Sequence, residues 1–567
     1  MPAALLITFL VGARAWGGAA RGSAPLVRVP LVRVPRARAA VLAKGGGGGG
    51  GGKGGKGGGA AQASSAQSER ICARSSDYSQ WYLDVIAAGD LVDASPVRGC
   101  MVIKPAGMAL WEGVRDVLDR RIKAKGVQSA YFPLLIPVSF LSKEAEHVEG
   151  FAKECAVVTH HRLRAVPGGT GVEPDPDARL EEPLIVRPTS ETIIWHMFGK
   201  WITSYRDLPL KVNQWANVLR WELRTRPFLR SAEFLWQEGH TAHATAAEAN
   251  ALAAEVLDMY ADVCESLLAL PVVRGEKSAS ERFAGAEATY TIEGLMQNGW
   301  ALQCGTSHFL GQNFAKAFDV RFQTSDSGLE HVWATSWGMT TRLIGALVMS
   351  HSDDAGLVLP PRIAPLQVVI VPFAAKEPAD AAAVDAAVSE LRGALEAEGV
   401  RVHVDARDHL RAGAKYFEWE RKGVPLRVDI GPRDLTSGET KMSRRTDSAK
   451  LPLPLADMRA AAATINAELE AMQAALLDTA RARIAAATFE LSSYGEMAAR
   501  LNSDEPSTSG FFLVPWADDA ANEATIKEET KATLRCYPFA EQHRAEGKAC
   551  FFSGRPATHM ALFARAY

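Results

Sequence analysis

The sequence predicts a multidomain chain of α/β and α+β class, with an α+β part first, an α/β part after it and a small α+β module at the C-terminus. Three observations predict this. A length of 567 residues suits roughly three domains. The segment 220–243 alternates like an antiparallel hairpin, with helical segments before and after it. From "LPPRIAPLQVVIVPF" onward, apolar strand-like runs alternate with helices, the pattern of a separate domain built on a mostly parallel sheet.

Composition narrows the function classes. The chain is 47% hydrophobic with a net charge of −2, so nucleic-acid contacts must come from local basic patches rather than a global field. No stretch is long and apolar enough to span a bilayer. The seven cysteines are scattered, odd in number and free of C-x-x-C spacing, which argues against a disulfide scaffold and fits a reducing compartment. Residues 1–60 carry six arginines, three lysines and no acidic residue, and end in a glycine tract. Such a start suits organellar import. A short signal h-region and a disordered extension ahead of the true start are the alternatives, the latter leaving the protein in the cytoplasm. Residues 1–70 are therefore excluded from the fold.

In chain order, "GMALWEGVRDVLDRRIKAKG" places Leu110, Val114, Val117, Leu118 and Ile122 at helical spacing, with Gly126 as the stop. "AYFPLLIP" follows as a strand punctuated by Pro133 and Pro137, and residues 163–183 read as a surface loop rich in Gly, Pro and Asp. A helix is expected over "SETIIWHMFGKWITSYRDL". The hairpin comes next, with Arg220 and Glu222 on one strand face, Trp221 on the other, "TRP" at the turn and "EFLWQEG" returning. A second long helix follows over 243–270, then short strands, then the helix "TTRLIGALVMSHS". The Pro-rich segment 360–365 marks a boundary. Beyond it lie strands in "LQVVIVPF", "VRVHVD" and "LRVDIG", helices over 379–398 and about 409–422, a long alanine-rich helix, and a final module over 487–567.

Four stretches carry chemistry. In "RWELRTRPFLRSAEFLWQEGHTAH" arginine forks stand beside aromatics, one way to hold a polyphosphate and a flat base together, although a solvated hairpin would also carry these charges. "RPTSET" offers hydroxyls and a carboxylate at a helix start. "LQCGTSHFLGQNFAKAFDV" brings Gln303, Thr306 and His308, and "SWGMTTRLIGAL" brings Thr340 and Arg342 to a helix N-terminus that favours anions. Taken singly, a satisfied core histidine and a plain helix cap explain the last two stretches as well.

Their order resembles the three motifs of class II aminoacyl-tRNA synthetases. The wording of "RWELRTRPFLRSAEFLWQEGHTAH", "GTSHFLGQNFAKAFDV" and "KGVPLRVDIGPRDLTSG" is similar to prolyl-tRNA synthetases of the archaeal and eukaryotic type, over residues 74–567. The resemblance implies an antiparallel-sheet catalytic domain over 71–362, an anticodon-binding α/β domain over 363–460, and a helix with a zinc-domain-like module over 461–567. It implies ATP-dependent attachment of L-proline to tRNA(Pro) through a prolyl-adenylate, with Mg2+ accompanying ATP. On that basis Arg220 and Arg342 are the catalytic pair. Glu222, Arg230, Gln303, Thr306 and Thr340 join them around ATP, while Thr189, Glu191, Trp236 and His308, again with Arg220, form the proline pocket. Arg433, Asp434 and Lys441 are expected at the anticodon, with Arg444 and Arg445 beside them and Tyr416, Phe417 and Trp419 as stacking surfaces.

The resemblance also implies a homodimer with "YFPLLIP" at its interface, and the N-terminal extension points to a plastid or mitochondrial form. Threonyl-, histidyl- and glycyl-tRNA synthetases share the architecture and remain alternatives, as does an inactive RNA-binding paralogue, whose signature would be loss of Arg220 or Arg342; both are present. About sixty residues separate the hairpin from "LQCGTSHFL", too few for the large editing insertion of bacterial-type relatives. The four-cysteine zinc site of many relatives is incomplete here: Ala517 and Asn522 stand where the first two ligands are expected and Phe552 where the fourth is, while the module retains Cys536 and Cys550. No metal bound by protein thiolates is expected. The apolar runs "FFLVPW" and "MALF" should hold the module instead, with Tyr567 packed toward the catalytic domain.

Overall fold

The computed structural model describes residues 70–142, 155–503 and 505–567, so the extension expected over residues 1–70 lies outside the described residues except for Arg70. An 11-stranded sheet organises most of the rest. At its centre are β1 (Leu210–Leu219), β2 (Glu233–His243), β3 (Ala288–Leu295), β4 (Ala301–Gly311) and β5 (Trp333–Thr340). They pair antiparallel in the order β1-β2-β5-β4-β3. Helix α1 (Glu191–Trp201) precedes β1, α2 (Ala246–Leu268) links β2 towards β3, and α3 (Arg342–His351) leaves β5 almost directly.

The main core lies between this sheet and its helices. The predicted first long helix spans Pro105–Ala124 and buries Leu110, Val114, Leu118 and Ile122, each burial favouring the fold by about 1.5–3 kcal/mol. Its stop is as expected, with Gly126 at φ +74°. Those side chains join Leu257 and Tyr260 of α2 and Trp337 of β5 in one cluster. Gly239 in β2 makes room for Trp337: a Cβ there would sit 2.1 Å from the indole ring.

The same sheet continues into the C-terminal module. Val273–Glu276 pairs with β3 on one side and with Thr533–Pro538 on the other. His559–Ala564, Phe511–Trp516 and Thr488–Glu490 then extend the sheet to one edge, and Gln128–Ser129 pairs parallel with β1 at the other. The apolar runs "FFLVPW" and "MALF" therefore form paired strands, and Tyr567 reaches the core, its ring 5.2 Å from that of Trp300.

A second, five-stranded sheet follows the Pro-rich segment. Val402–Val404, Val368–Pro372 and Leu426–Ile430 are parallel, and Glu439–Arg444 and Lys450–Pro454 extend the sheet antiparallel. Pro378–Ala397 and the long helix Met458–Ala486 cover one face, packing Val384, Leu391, Ile465 and Leu469 together.

Four expectations are corrected. Residues 163–183 are not a loop: Leu163–Ala165 and Val172–Pro174 form a small hairpin, and Arg179–Val186 is a strand between two others. The "AYFPLLIP" strand shrinks to Leu135–Pro137, because the prolines supply no N–H to a ladder. The helix from Ser190 stops at Trp201, where the β-branched Ile202 takes an extended conformation as C-cap. Arg220 and Glu222 lie beyond the end of β1, in a loop and not on a strand face.

Candidate active site

The loop over 220–232 is held as a unit. Arg220 N donates to Ala232 O at 2.8 Å, and Arg226 and Arg230 exchange two backbone bonds at 2.8 and 2.9 Å. Phe228 adopts φ +60°, uncommon for an aromatic residue, and its buried ring joins the main core to hold the turn. Tyr82 Oη donates to Pro227 O at 2.7 Å, and the Arg226 guanidinium lies between the rings of Tyr82 and Tyr567. The loop is thus clamped at its base; Arg224 is exposed, while Arg220, Glu222 and Arg230 turn toward one space.

What they face is a cavity of about 470 Å³. All the residues expected around ATP and proline line it: Thr189, Glu191, Arg220, Glu222, Arg230, Trp236, Gln303, Thr306, His308, Thr340 and Arg342. They come from the start of α1, the loop, three strands and the start of α3, so the agreement spans 154 positions of sequence, from 189 to 342 inclusive.

Arg220 Nε donates to Pro188 O at 3.0 Å, and its guanidinium lies 5.4 Å from the Phe234 ring and 5.6 Å from that of Trp236. Arg342 Nε donates to Leu229 O at 3.1 Å and Nη1 to Gln303 O at 3.4 Å. Burial lowers the pKa of both arginines, and for Arg220 the charges of Glu191, Glu238 and Glu222 act against it. Even so lowered, an arginine remains a cation. Arg230 Nε donates to Glu222 Oε2 at 2.7 Å at the mouth of the cavity.

On the opposite wall, Thr189 Oγ1 donates to Glu191 Oε2. Behind them Glu238, 2% exposed, accepts from Ser190 Oγ at 2.5 Å and bonds His240 Nε2 at 3.0 Å. Burial pulls His240 down, but the Glu238 hydrogen bond and the charges of Glu238 and Glu191 raise its pKa overall. His308 stacks on Phe283 at 4.5 Å and bonds Thr289 Oγ1 through Nδ1 at 3.0 Å. Burial, helped by His240, lowers its pKa to about 3, so its imidazole is neutral at physiological pH.

Cavity residues outside the sequence expectation include Glu238, His240, Phe283, Thr289 and Ser336. The signal for two of them was in reach: Trp236, Glu238 and His240 alternate along β2, so all three share the face that Trp236 already occupied.

In the second sheet's domain, Arg433 and Lys441 are exposed, and Asp434 Oδ2 accepts from Gly431 N at 2.8 Å at a helix start. The Arg427 guanidinium lies 3.5 Å from the Tyr416 ring centre, and Phe417 is exposed under Arg421. Three neighbours are not available to a ligand. Trp419 is buried with its Nε1 donating to Asp405 Oδ2 at 2.9 Å. Arg444 pairs with Glu468 and Asp447. Arg445, 4% exposed in its side chain, makes a two-pronged ion pair with Asp353 at 2.6 and 2.8 Å.

The two remaining cysteines of the C-terminal module cannot share an ion. Cys536 packs with Leu295 and Phe511, and Cys550 with Phe512 and Trp516, in separate clusters. Phe511 and Phe512 are successive strand residues, so the two clusters occupy opposite faces of the sheet. Among the described residues, no group of three or more His, Cys, Asp or Glu could hold a metal.

Comparison with known proteins agrees with this geometry. Residues 172–351 match the family described as tRNA synthetase class II core domain (G, H, P, S and T). Residues 367–464 match the anticodon binding domain, and 505–567 the prolyl-tRNA synthetase C-terminal domain. A proline–tRNA ligase from Cytophaga hutchinsonii is 52% identical over 495 residues, covering 87% of this chain and 99% of that protein. One from Phocaeicola vulgatus is 52% identical over 504 residues, covering 89% and 100%. The crystal structure of prolyl-tRNA synthetase from Cryptosporidium parvum, complexed with halofuginone and AMPPNP, superposes with a TM-score of 0.79 at 36% identity, covering 88% of this chain and 97% of that one.

Proposed function

The chain belongs to the class II prolyl-tRNA synthetases and is a proline–tRNA ligase, and we propose how its own residues divide the ATP-dependent attachment of L-proline to tRNA(Pro). Arg220 bridges the proline carboxylate and the α-phosphate, a task suited to a planar fork with five donors. Arg342 holds the far end of the triphosphate, and Arg230 turns to it from Glu222. ATP enters as its Mg2+ complex, and Glu222 is then free to hold the ion or the adenine edge. Gln303, Thr306 and Thr340 line the nucleotide, and Glu191 accepts from the proline ammonium beside Thr189, Trp236 and neutral His308. The observation that carries this reading is the convergence of these residues on one cavity.

In the first step a proline carboxylate oxygen attacks the α-phosphorus and the bond to pyrophosphate breaks. In the second, a ribose hydroxyl at the tRNA 3′ end attacks the adenylate carbonyl and AMP leaves. Neither step needs a protein nucleophile. Positioning and preorganised positive charge supply the catalysis. Pyrophosphate exchange measured with each amino acid tests the pocket: proline is expected to dominate, and threonine, histidine or glycine at the same rate would overturn the assignment.

The finer type is the archaeal and eukaryotic one, without an editing domain. Residues 244–287 hold α2, one short strand and a single 3-10 turn, which supports this reading although the curated relatives named above are bacterial. Slow hydrolysis of mischarged Ala-tRNA is expected, and rapid deacylation by this chain alone would refute it. The C-terminal module holds no zinc, a reading supported by the separated thiols. Arg433, Asp434 and Lys441 meet the anticodon. The functional unit is a homodimer with the segment 131–137 at its interface, supported by exposed Tyr131 and Leu135. The acid-free N-terminus supports import into a plastid or mitochondrion.

A further inference from the structure

One face of β3 carries Thr289, Thr291 and Glu293, and each supports a different neighbour. Thr289 holds His308, as described above. Thr291 Oγ1 accepts from Gln303 Nε2 at 3.3 Å and donates to Glu293 Oε1 at 3.0 Å. A register shift at Ile292/Glu293 sets Gln303 opposite Glu293 and brings these groups together. Glu293 is fully buried, and its carboxylate takes Lys277 Nζ at 2.8 Å. From the C-terminal module it also takes Arg535 Nε at 3.1 Å and Nη2 at 2.9 Å.

Three buried ions are costly, and an apolar set would join the two parts of the sheet equally well. The charges have a directional consequence that apolar groups lack. Burial pushes the Glu293 carboxyl up, but Arg535 and Lys277 outweigh it and keep the pKa low. An ionised carboxylate only accepts, and at 3.0 Å it is a shorter and stronger acceptor than Gly305 O at 3.5 Å, so the Thr291 hydroxyl proton points at Glu293. Its lone pair then faces Gln303 and engages the amide nitrogen. That leaves Gln303 Oε1 as the acceptor on the cavity side. Glu293 and Arg535 also act electrostatically on Arg342.

We propose that Arg535, Lys277, Glu293 and Thr291 form a positioning relay through which the C-terminal module orients Gln303, its amide oxygen toward an N–H or hydroxyl donor of the bound nucleotide. The relay rests on the assignment of Gln303 to the nucleotide site. None of the four lines the cavity.

Proline-dependent pyrophosphate exchange with the full chain tests both, with KM for ATP and for proline read separately. Gln303→Ala tests the premise and is expected to raise KM for ATP roughly tenfold. Thr291→Val should raise it by a similar factor, leave KM for proline within about twofold, and add little in the double variant with Gln303→Ala. Thr291→Ser should restore it. Arg535→Met should move KM for ATP in the same direction, and Arg535→Lys, which keeps the cation, should move it less and carries the test where Arg535→Met does not fold. An unchanged KM for ATP in Gln303→Ala rejects the nucleotide-site reading. A clear effect there with none in Thr291→Val, full additivity of the two, or Arg535 variants that lower thermal stability without moving KM for ATP, overturns the relay.

Discussion

Arg220 and Arg342, within the cavity, and the paired arginines of the anticodon-binding domain are satisfied in different ways, while Arg230 at the cavity mouth pairs with Glu222 and stands between the two groups. Arg342 donates to the carbonyl oxygens of Leu229 and Gln303 and, among the described residues, makes no ion pair; Arg220 donates to Pro188 O and lies over two aromatic rings. Arg407 is instead paired with Asp405 and Glu418, Arg444 with Glu468, and Arg445 with Asp353. A carbonyl fixes a guanidinium without neutralising it, so Arg342 keeps its positive charge for a triphosphate. A carboxylate neutralises it, and the arginine becomes part of the framework. The partner, more than the residue type, separates a ligand-binding arginine from a structural one.

The largest expected effect follows from removing a cavity cation. Arg342→Ala should lower proline-dependent exchange by about 10²–10³, with little change in melting temperature. A melting temperature that falls with activity would place Arg342 among the structural arginines and break the contrast.

Next is the ion pair between domains. Arg445→Met should cost about 2 kcal/mol, the low side for a buried pair because Asp353 stays partly exposed. Burial raises the pKa of Asp353, but Arg445 outweighs it and leaves it depressed. Its contribution is therefore present above the ordinary carboxylate pKa and lost as pH falls through the lower folded value. Chemical denaturation of wild type should weaken across that acid range, and Arg445→Met should show a shallower decline. An equal slope in both would deny the pair this role.

A third effect, confined to acid pH, concerns His308. With its pKa lowered to about 3, the folded state excludes a proton that the unfolded chain binds below about 6.5. Stability should fall as pH drops from about 6.5 toward 3, and His308→Gln should remove that part of the slope. Melting curves over the range decide it. The smallest effect is none: a chelator should leave the melting temperature unchanged, with well under one zinc per chain by elemental analysis. Stoichiometric zinc lost together with stability would contradict this.

Much of the fold was legible because it is written locally. Leu110, Val114, Leu118 and Ile122 show a helical period, and "LQVVIVPF" reads as a buried strand whatever its partners. The cavity residues were legible through motif wording. Less legible was whatever depends on distant partners. The link between the two parts of the large sheet rests on Gly275 with Pro538 and Glu276 with Tyr537, and no local pattern announces it. Arg444 and Arg445 sit in a basic run suited to RNA, yet Glu468 and Asp353, far away in sequence, claim them. Alternation around Arg220 suggested a strand, whereas the buried Phe228 ring, at positive φ, holds the segment as a loop.

The contrast between the two kinds of arginine is tested most directly by one paired measurement, proline-dependent pyrophosphate exchange in Arg220→Ala and Arg407→Ala. The account predicts a loss of about 10²–10³ for Arg220→Ala and exchange within about twofold of wild type for Arg407→Ala. Exchange within tenfold of wild type in Arg220→Ala, or equal losses in the two variants, would contradict it.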